Sequence, residues 1–339
     1  MLFEMVPYYE DMKMNKWART ADLLTIDHPD RMYERGKETK EPRRLNVLLR
    51  GLVFLGVFMA VLVLASMLLR LVCIARYGSM AKAGVGDMHS PVMFFEMLAE
   101  VVAAVAGYVV VVHFMERRHR PVELRASRWT GLLAGAAIGF AAVGVCVGVL
   151  AIAGDYRVTG FDTGYNPWID LFASGICAGI AEEIIMRGML LRLVEEWLGS
   201  WGAVAVSALA FGLMHLGNQD GSLWGGLAIA IEDGILAAAL YFVTRSLWVC
   251  IGEHAMWNIA EGPIFGSVIS GNGRQGSWLI PRWSGPDLMT GGQFGLEASI
   301  IPVVIMGAVG IALLVYAQRK GLLVKPSWTR RRLLSDKSL

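Results

Sequence analysis

Charge is what this sequence has least of: Asp, Glu, Lys and Arg together make up 18% of 339 residues, against 55% hydrophobic residues. Water-soluble domains carry about 25% charged residues, so this scarcity, with a mean hydropathy of +0.50, argues against an ordinary soluble globule and for lipid as the surrounding solvent. Cysteine is nearly as sparse. Cys73, Cys146, Cys177 and Cys250 stand singly in apolar stretches with no CxxC pair, which argues against a thiolate metal site and leaves them as packing residues. There is no HExxH motif, no internal repeat and no low-complexity tract. A net charge of +2 gives no reason to expect nucleic acid as a partner. Residues 1–45 are polar and contain nine basic residues, so no cleavable leader is expected at the start and the first apolar span serves as the insertion signal.

What is present is a series of long apolar runs. Crossing about 30 Å of hydrocarbon takes roughly 20 helical residues. Runs of that order are predicted at 46–75, 91–115, 129–154, 168–194, 200–217, 223–243, 247–263 and 295–318. The fifth and seventh are short, and acids interrupt the fourth and sixth. The runs are continuously apolar and rich in Ala, Leu, Val, Gly and Met, whereas a membrane barrel alternates apolar and polar residues in segments of about ten. The expected fold class is all-α: a polytopic membrane bundle of about eight transmembrane helices around a polar cavity. The expected organisation is an N-terminal tail at 1–45, a transmembrane domain at 46–318 and a C-terminal tail at 319–339. The Gly, Ser, Pro and Trp-containing stretch 262–295 reads as a lid, a re-entrant loop or an ordered external loop.

Basic residues set the expected orientation, because Lys and Arg are retained on the cytoplasmic side. They crowd the N-terminal tail, the connection holding Arg117, Arg118, Arg120, Arg125 and Arg128, and the C-terminal tail from Arg319 to Lys337. The other connections hold few. Both termini are therefore expected to be cytoplasmic, in a multi-pass protein of the cell (inner) membrane.

Ionisable groups at membrane depth are the chemistry-bearing feature, since each costs roughly 2.5–3.5 kcal/mol to insert at the bilayer centre and generally faces a partner or a water-filled cavity. The fourth run carries Glu182, Glu183 and Arg187 within two turns. Glu183 and Arg187 are four apart, in the favourable acid-before-base order, and Glu182 is rotated by about 100° from Glu183. With Glu183 engaged by Arg187, Glu182 is the carboxylate free to enter a cavity and act as a base. Phe211 and His215 end the fifth run, and His254 and Asn258 lie one turn apart on the seventh. A carboxylate, two imidazoles and an amide on three helices suit water activation and oxyanion stabilisation. Each His or Asn alone is as well explained by interhelical hydrogen bonding; the set points to a site.

Glu182, Glu183 and Arg187 as EExxxR, Phe211 and His215 as FxxxH, and His254 and Asn258 as HxxxN occur in an order and at separations similar to the CAAX prenyl protease and bacteriocin-processing family, the Abi or Ras-converting-enzyme type of intramembrane glutamic protease. The resemblance covers residues 165–262 and implies an eight-helix fold with a conical cavity. It further implies that Glu182, assisted by His215, activates water to attack a peptide carbonyl, that His254 and Asn258 stabilise the oxyanion, and that Arg187 holds Glu183. Where some eukaryotic members carry a further histidine, this sequence has Asn218. The resemblance implies a peptide or protein substrate in or at the membrane and no cofactor. Glu and His are also acceptable zinc ligands, and a divalent metal is the alternative. A binding or immunity protein using the same cavity, or a proton-coupled transporter, are the competing functions.

The other acids have plainer readings. Glu232, Asp233, Glu253 and Glu261 are expected as buried partners or near helix ends, although they could shape the cavity. Glu96 and Glu100 are expected to reach the membrane interface. Trp129, Trp168, Trp201, Trp248 and Trp328 fall near membrane edges, where the ring anchors without chemical meaning.

Overall fold

In hydrocarbon the backbone has no water to bond, so each apolar run must satisfy its own N–H and C=O groups, and a helix does so. The computed structural model describes residues 47–84, 90–116, 118, 121–274 and 276–329. The N-terminal tail and residues 330–339 of the C-terminal tail lie outside the described residues, with their basic clusters. Among the described residues the α-helices in chain order are α1 (Val47–Tyr77), α2 (Pro91–Val109), α3 (Gly131–Ala153), α4 (Ala178–Glu183), α5 (Arg192–Met214), α6 (Leu223–Ile229), α7 (Ile235–Thr244), α8 (Leu247–Ile259), the short α9 (Asp287–Thr290) and α10 (Ile300–Lys320). Wider π-helical turns extend or join several of them, at Val110–Met115, Asp170–Cys177, Ile184–Leu191, Ala230–Gly234 and Ala260–Ile264.

Six helical stretches among the described residues are long and apolar enough to cross a membrane: Val47–Tyr77, Pro91–Met115, Ala126–Ala153, Asp170–Gly217, Leu223–Thr244 and Ile300–Lys320. The chain is thus a polytopic helical membrane bundle. The difference from eight has two sources. Asp170–Gly217 holds both the fourth and fifth expected spans, separated at Gly199, whose φ of 75° breaks the helix and where a Cβ would come within 2.7 Å of the Val324 carbonyl oxygen. Leu247–Ile264, the seventh, carries Glu253, His254, Asn258 and Glu261, polar groups that lower its hydropathy.

The helix bearing His254 and Asn258 is seated on α3 by backbone contact. Cβ atoms at Gly135 and Gly139 would come within 2.0 and 2.2 Å of the Val249 and Glu253 carbonyl oxygens, and one at Gly252 within 2.1 Å of the Leu132 carbonyl oxygen. Gly131, Gly135 and Gly139 form a GxxxGxxxG stripe, the small-residue pattern that lets membrane helices approach closely. Gly135→Ala is expected to push α8 away, costing about 1–3 kcal/mol of stability, checked by thermal denaturation in detergent.

The other end of α8 is fixed by its junction with α7. Arg245 takes a left-handed conformation (φ 47°), pairs with Glu195 at 2.6 and 2.8 Å, and lies over the rings of Phe242 and Tyr241. A two-stranded antiparallel ribbon, β1 (Tyr156–Phe161) and β2 (Leu279–Trp283), pairs Tyr156 with Trp283. It straps the long connection between α8 and α10 to the end of α3.

A buried charge network ties α1, α2 and α5 together. Arg50 contacts Glu116 at 2.8 Å and also Glu196; Arg192 contacts Glu116 at 2.7 Å; Arg118 contacts Glu123 at 2.5 Å and Glu116 at 3.5 Å; and the Tyr108 hydroxyl donates to Glu123 at 2.7 Å. Burial pushes the Glu116 carboxyl up, but Arg192, Arg118 and Arg50 outweigh burial and hold it below the usual carboxylate value. Arg118, expected as one of several basic residues of an exposed connection, is 4% exposed and belongs to this network. The four cysteines are buried and unpaired.

Candidate active site

A cavity of about 280 Å³ opens between α2, α4, the end of α5, α8 and the 266–299 connection. Glu182, His215, His254 and Asn258 all line it. The helix bearing Glu182 is flanked on both sides by π-turns, at Asp170–Cys177 and Ile184–Leu191, a geometry that recurs at functional sites.

Glu183 faces away from the cavity into the bundle. Its Oε1 accepts from Arg187 at 2.5 Å and lies 3.1 Å from His254 Nδ1. Arg187, fully buried, also contacts the Asp233 carboxylate at 3.0 Å and the Asp233 carbonyl at 3.2 Å. A carboxylate cannot donate, so His254 Nδ1 carries the proton and donates to Glu183. His254 Nε2 then faces Glu182, 3.9 Å from Oε2, beyond direct hydrogen bonding and close enough for an intervening water. Glu182 Oε2 has no hydrogen-bond partner among the described residues.

His215 sits at the C-terminal end of α5, where its Nδ1 is 2.7 Å from the Phe211 carbonyl. A carbonyl only accepts, so Nδ1 holds the proton and Nε2 remains the basic nitrogen. Asn258 donates one amide N–H to the Ser174 carbonyl at 2.8 Å, and the second N–H of that amide is left for a ligand. Asn218 donates to the Ser270 carbonyl at 2.6 Å, tying the end of α5 to the 266–299 connection.

Three features went beyond the expectations. Phe211 is the hub of the motifs: its ring lies edge-on to His215 and His254, with centroids 4.9 and 5.9 Å away, and under Arg187 at 4.7 Å. Asp233 is the second carboxylate of Arg187, from 46 residues away. Glu100, expected to reach the membrane interface, lines the cavity with Met93 and Met97. The spacing of 93, 97 and 100 marks one helical face, but a face turned to lipid has the same spacing. Glu232 and Glu253 are fully buried behind the site, each with both carboxylate oxygens unpartnered among the described residues, while Glu261 accepts from Trp257 and Ser267.

Glu183, Asp233 and His254 could hold a metal ion, with ligand atoms within 4.8 Å of one another. An ion there would compete with Arg187, whose guanidinium contacts both carboxylates.

The fold and cavity define a polytopic helical membrane protein with an acid–imidazole–amide site inside the bundle. Residues 164–260 match the family model described as type II CAAX prenyl endopeptidase Rce1-like. That match supports assignment to the CAAX-protease and bacteriocin-processing family over nearly the segment that carries the three motifs, and it supports a protease role. Among curated proteins and solved structures, none gives a significant match.

Proposed function

We propose that this chain is an intramembrane endopeptidase of glutamic type, acting on a membrane-associated or hydrophobic peptide. The observation that carries the reading is the division of labour between adjacent acids: Glu183 is neutralised by Arg187, whereas the Glu182 carboxylate lines the cavity with one oxygen unpartnered. Glu182 takes a proton from water, His215 Nε2 orients that water or shares the proton, and the resulting hydroxide adds to the peptide carbonyl. His254, as an imidazolium that donates from Nδ1 to Glu183 and from Nε2 into the cavity, and the second N–H of Asn258 are the donors for the oxyanion, with His254 held in orientation by Glu183. Collapse of the tetrahedral intermediate expels the amine, which receives the proton from Glu182. No step requires a metal. The basic residues of the tails and of the 117–128 connection support a cytoplasmic location for both termini.

The test is hydrolysis of an internally quenched peptide library by purified protein in lipid nanodiscs, run in ¹⁸O-water with and without a chelator. The expected result is chelator-insensitive cleavage with ¹⁸O in one new carboxylate. Absence of cleavage across the library, with a control protease active in the same discs, would move the assignment to a binding protein. Asn258→Ala is expected to lower kcat on the order of 10²-fold with little change in KM, the signature of a lost oxyanion donor.

A further inference from the structure

The turn at 269–273 supplies Ile269, Ser270 and Asn272 to the cavity wall, and the proposed hydrolysis gives it no task. It is clamped from several sides. Ser270 has a left-handed backbone, with φ at 49°, a conformation unfavourable for a residue that carries a side chain. The buried Glu297 carboxylate accepts from the Ser270 N–H at 2.7 Å and from its hydroxyl at 3.0 Å, and the Ser270 carbonyl accepts from Asn218. Gly271 donates to the Phe294 carbonyl at 2.7 Å and accepts from the Asp220 N–H at 2.8 Å, and the Asn272 N–H bonds the Ile269 carbonyl at 3.0 Å.

What this clamp presents to the cavity is the side chain of Asn272, which is half-buried. The other two asparagines of the lining, Asn218 and Asn258, each donate to a carbonyl of the protein. No hydrogen bond reaches the Asn272 side-chain amide among the described residues. A carboxamide carries both donors and an acceptor, so it can pair with the C=O and the N–H of a peptide unit. The turn is already fixed, so little ordering cost falls on binding.

We propose that Asn272 is a substrate-positioning residue that bonds the main chain of the peptide at a unit next to the cleaved bond. The inference rests on the reading of the cavity as a peptide site. Such a bond places the peptide without selecting its side chains. It is made equally before and during the reaction, so its loss raises KM and leaves kcat nearly unchanged. The expected effect is about tenfold, the size of one to two neutral hydrogen bonds.

The experiment takes, from the internally quenched peptide library, the member bound most tightly by the full-length protein in nanodiscs. Each of its peptide bonds except the cleaved one is replaced in turn by an ester, which removes the N–H and weakens the carbonyl as an acceptor. Hydrolysis is measured for wild type and Asn272→Ala. Equilibrium binding, by fluorescence anisotropy, is measured for both on the Glu182→Gln background, where the peptide stays intact. Asn272→Ala is expected to raise KM and Kd about tenfold, with kcat within twofold. One ester position should cost wild type a similar factor and cost Asn272→Ala less than twofold, the non-additivity of a direct contact. KM and Kd within twofold of wild type in Asn272→Ala, or additive losses at every ester position, overturn the proposal, as does a library of which no member binds. If peptides bind and none is cut, the endopeptidase reading falls, and the binding cycle alone decides the role of Asn272.

Discussion

Glu182→Gln is expected to reduce peptide hydrolysis on the order of 10³-fold while leaving the protein folded. The amide has nearly the carboxylate's shape and cannot accept the proton of water, so the loss falls in the general-base step, for which 10²–10⁴-fold effects are usual. The Glu182 side chain borders the cavity and its Oε2 bonds to no protein group among the described residues, so the substitution strands no buried partner. Glu183→Gln is the informative contrast. It removes one of the two carboxylates paired with a fully buried guanidinium and the acceptor that orients His254, and it should lose stability and turnover together. Single-turnover kinetics and thermal denaturation of both variants, with complementation of a deletion strain at matched membrane abundance, separate the two effects. Retention of more than a tenth of wild-type turnover by Glu182→Gln would remove Glu182 as the base.

The largest stability effect is expected at Glu116. Its carboxylate meets Arg50 at 2.8 Å, Arg192 at 2.7 Å and Arg118 at 3.5 Å, all without solvent. Glu116→Gln leaves these guanidiniums short of one buried negative charge, and breaking such a pair costs about 3–5 kcal/mol, a fall in apparent melting temperature on the order of 10 °C. The pH dependence has a definite sign. Because Glu116 is held below its unfolded value of 4.5 in the folded chain, its stabilisation is fully present above about pH 4.5 and is lost as pH falls through the folded value. The acid limb of the denaturation profile should be shallower in Glu116→Gln. Adding Arg50→Met to that variant should restore part of the loss, which measures the coupling. A single-variant loss below about 1 kcal/mol would show that Glu116 does not hold these helices together.

The helical bundle was legible because uninterrupted apolar runs leave the backbone only one way to satisfy itself in lipid. The motif residues were legible because Glu182, His215, His254 and Asn258 are too polar for their surroundings, and they do share one cavity. What escaped the sequence depends on distant partners. Nothing along the chain joins Arg187 to Asp233, Arg118 to a buried carboxylate, or 156–161 to a strand at 279–283. That Glu100 lines the cavity escaped the sequence because helical spacing identifies a face without telling whether it turns to lipid or to the cavity. The glycine stripe of α3 stands in the sequence as Gly131, Gly135 and Gly139, but which helix lies against it emerges only from the structure.

The wide turns around the site make the chain's counting unusual. Ser174, Arg187 and Asp233 lie within such turns, and Asn258 comes two residues before another. A π-turn holds one residue more than the α-turn it replaces, so losing a single residue there leaves the helix continuous but turns everything beyond it by about 100°. The bundle thus contains vernier points, where insertion or loss of one residue re-aims a functional side chain without moving the helix ends. Homologous chains should differ in length by single residues at these turns more readily than within the straight helices between them.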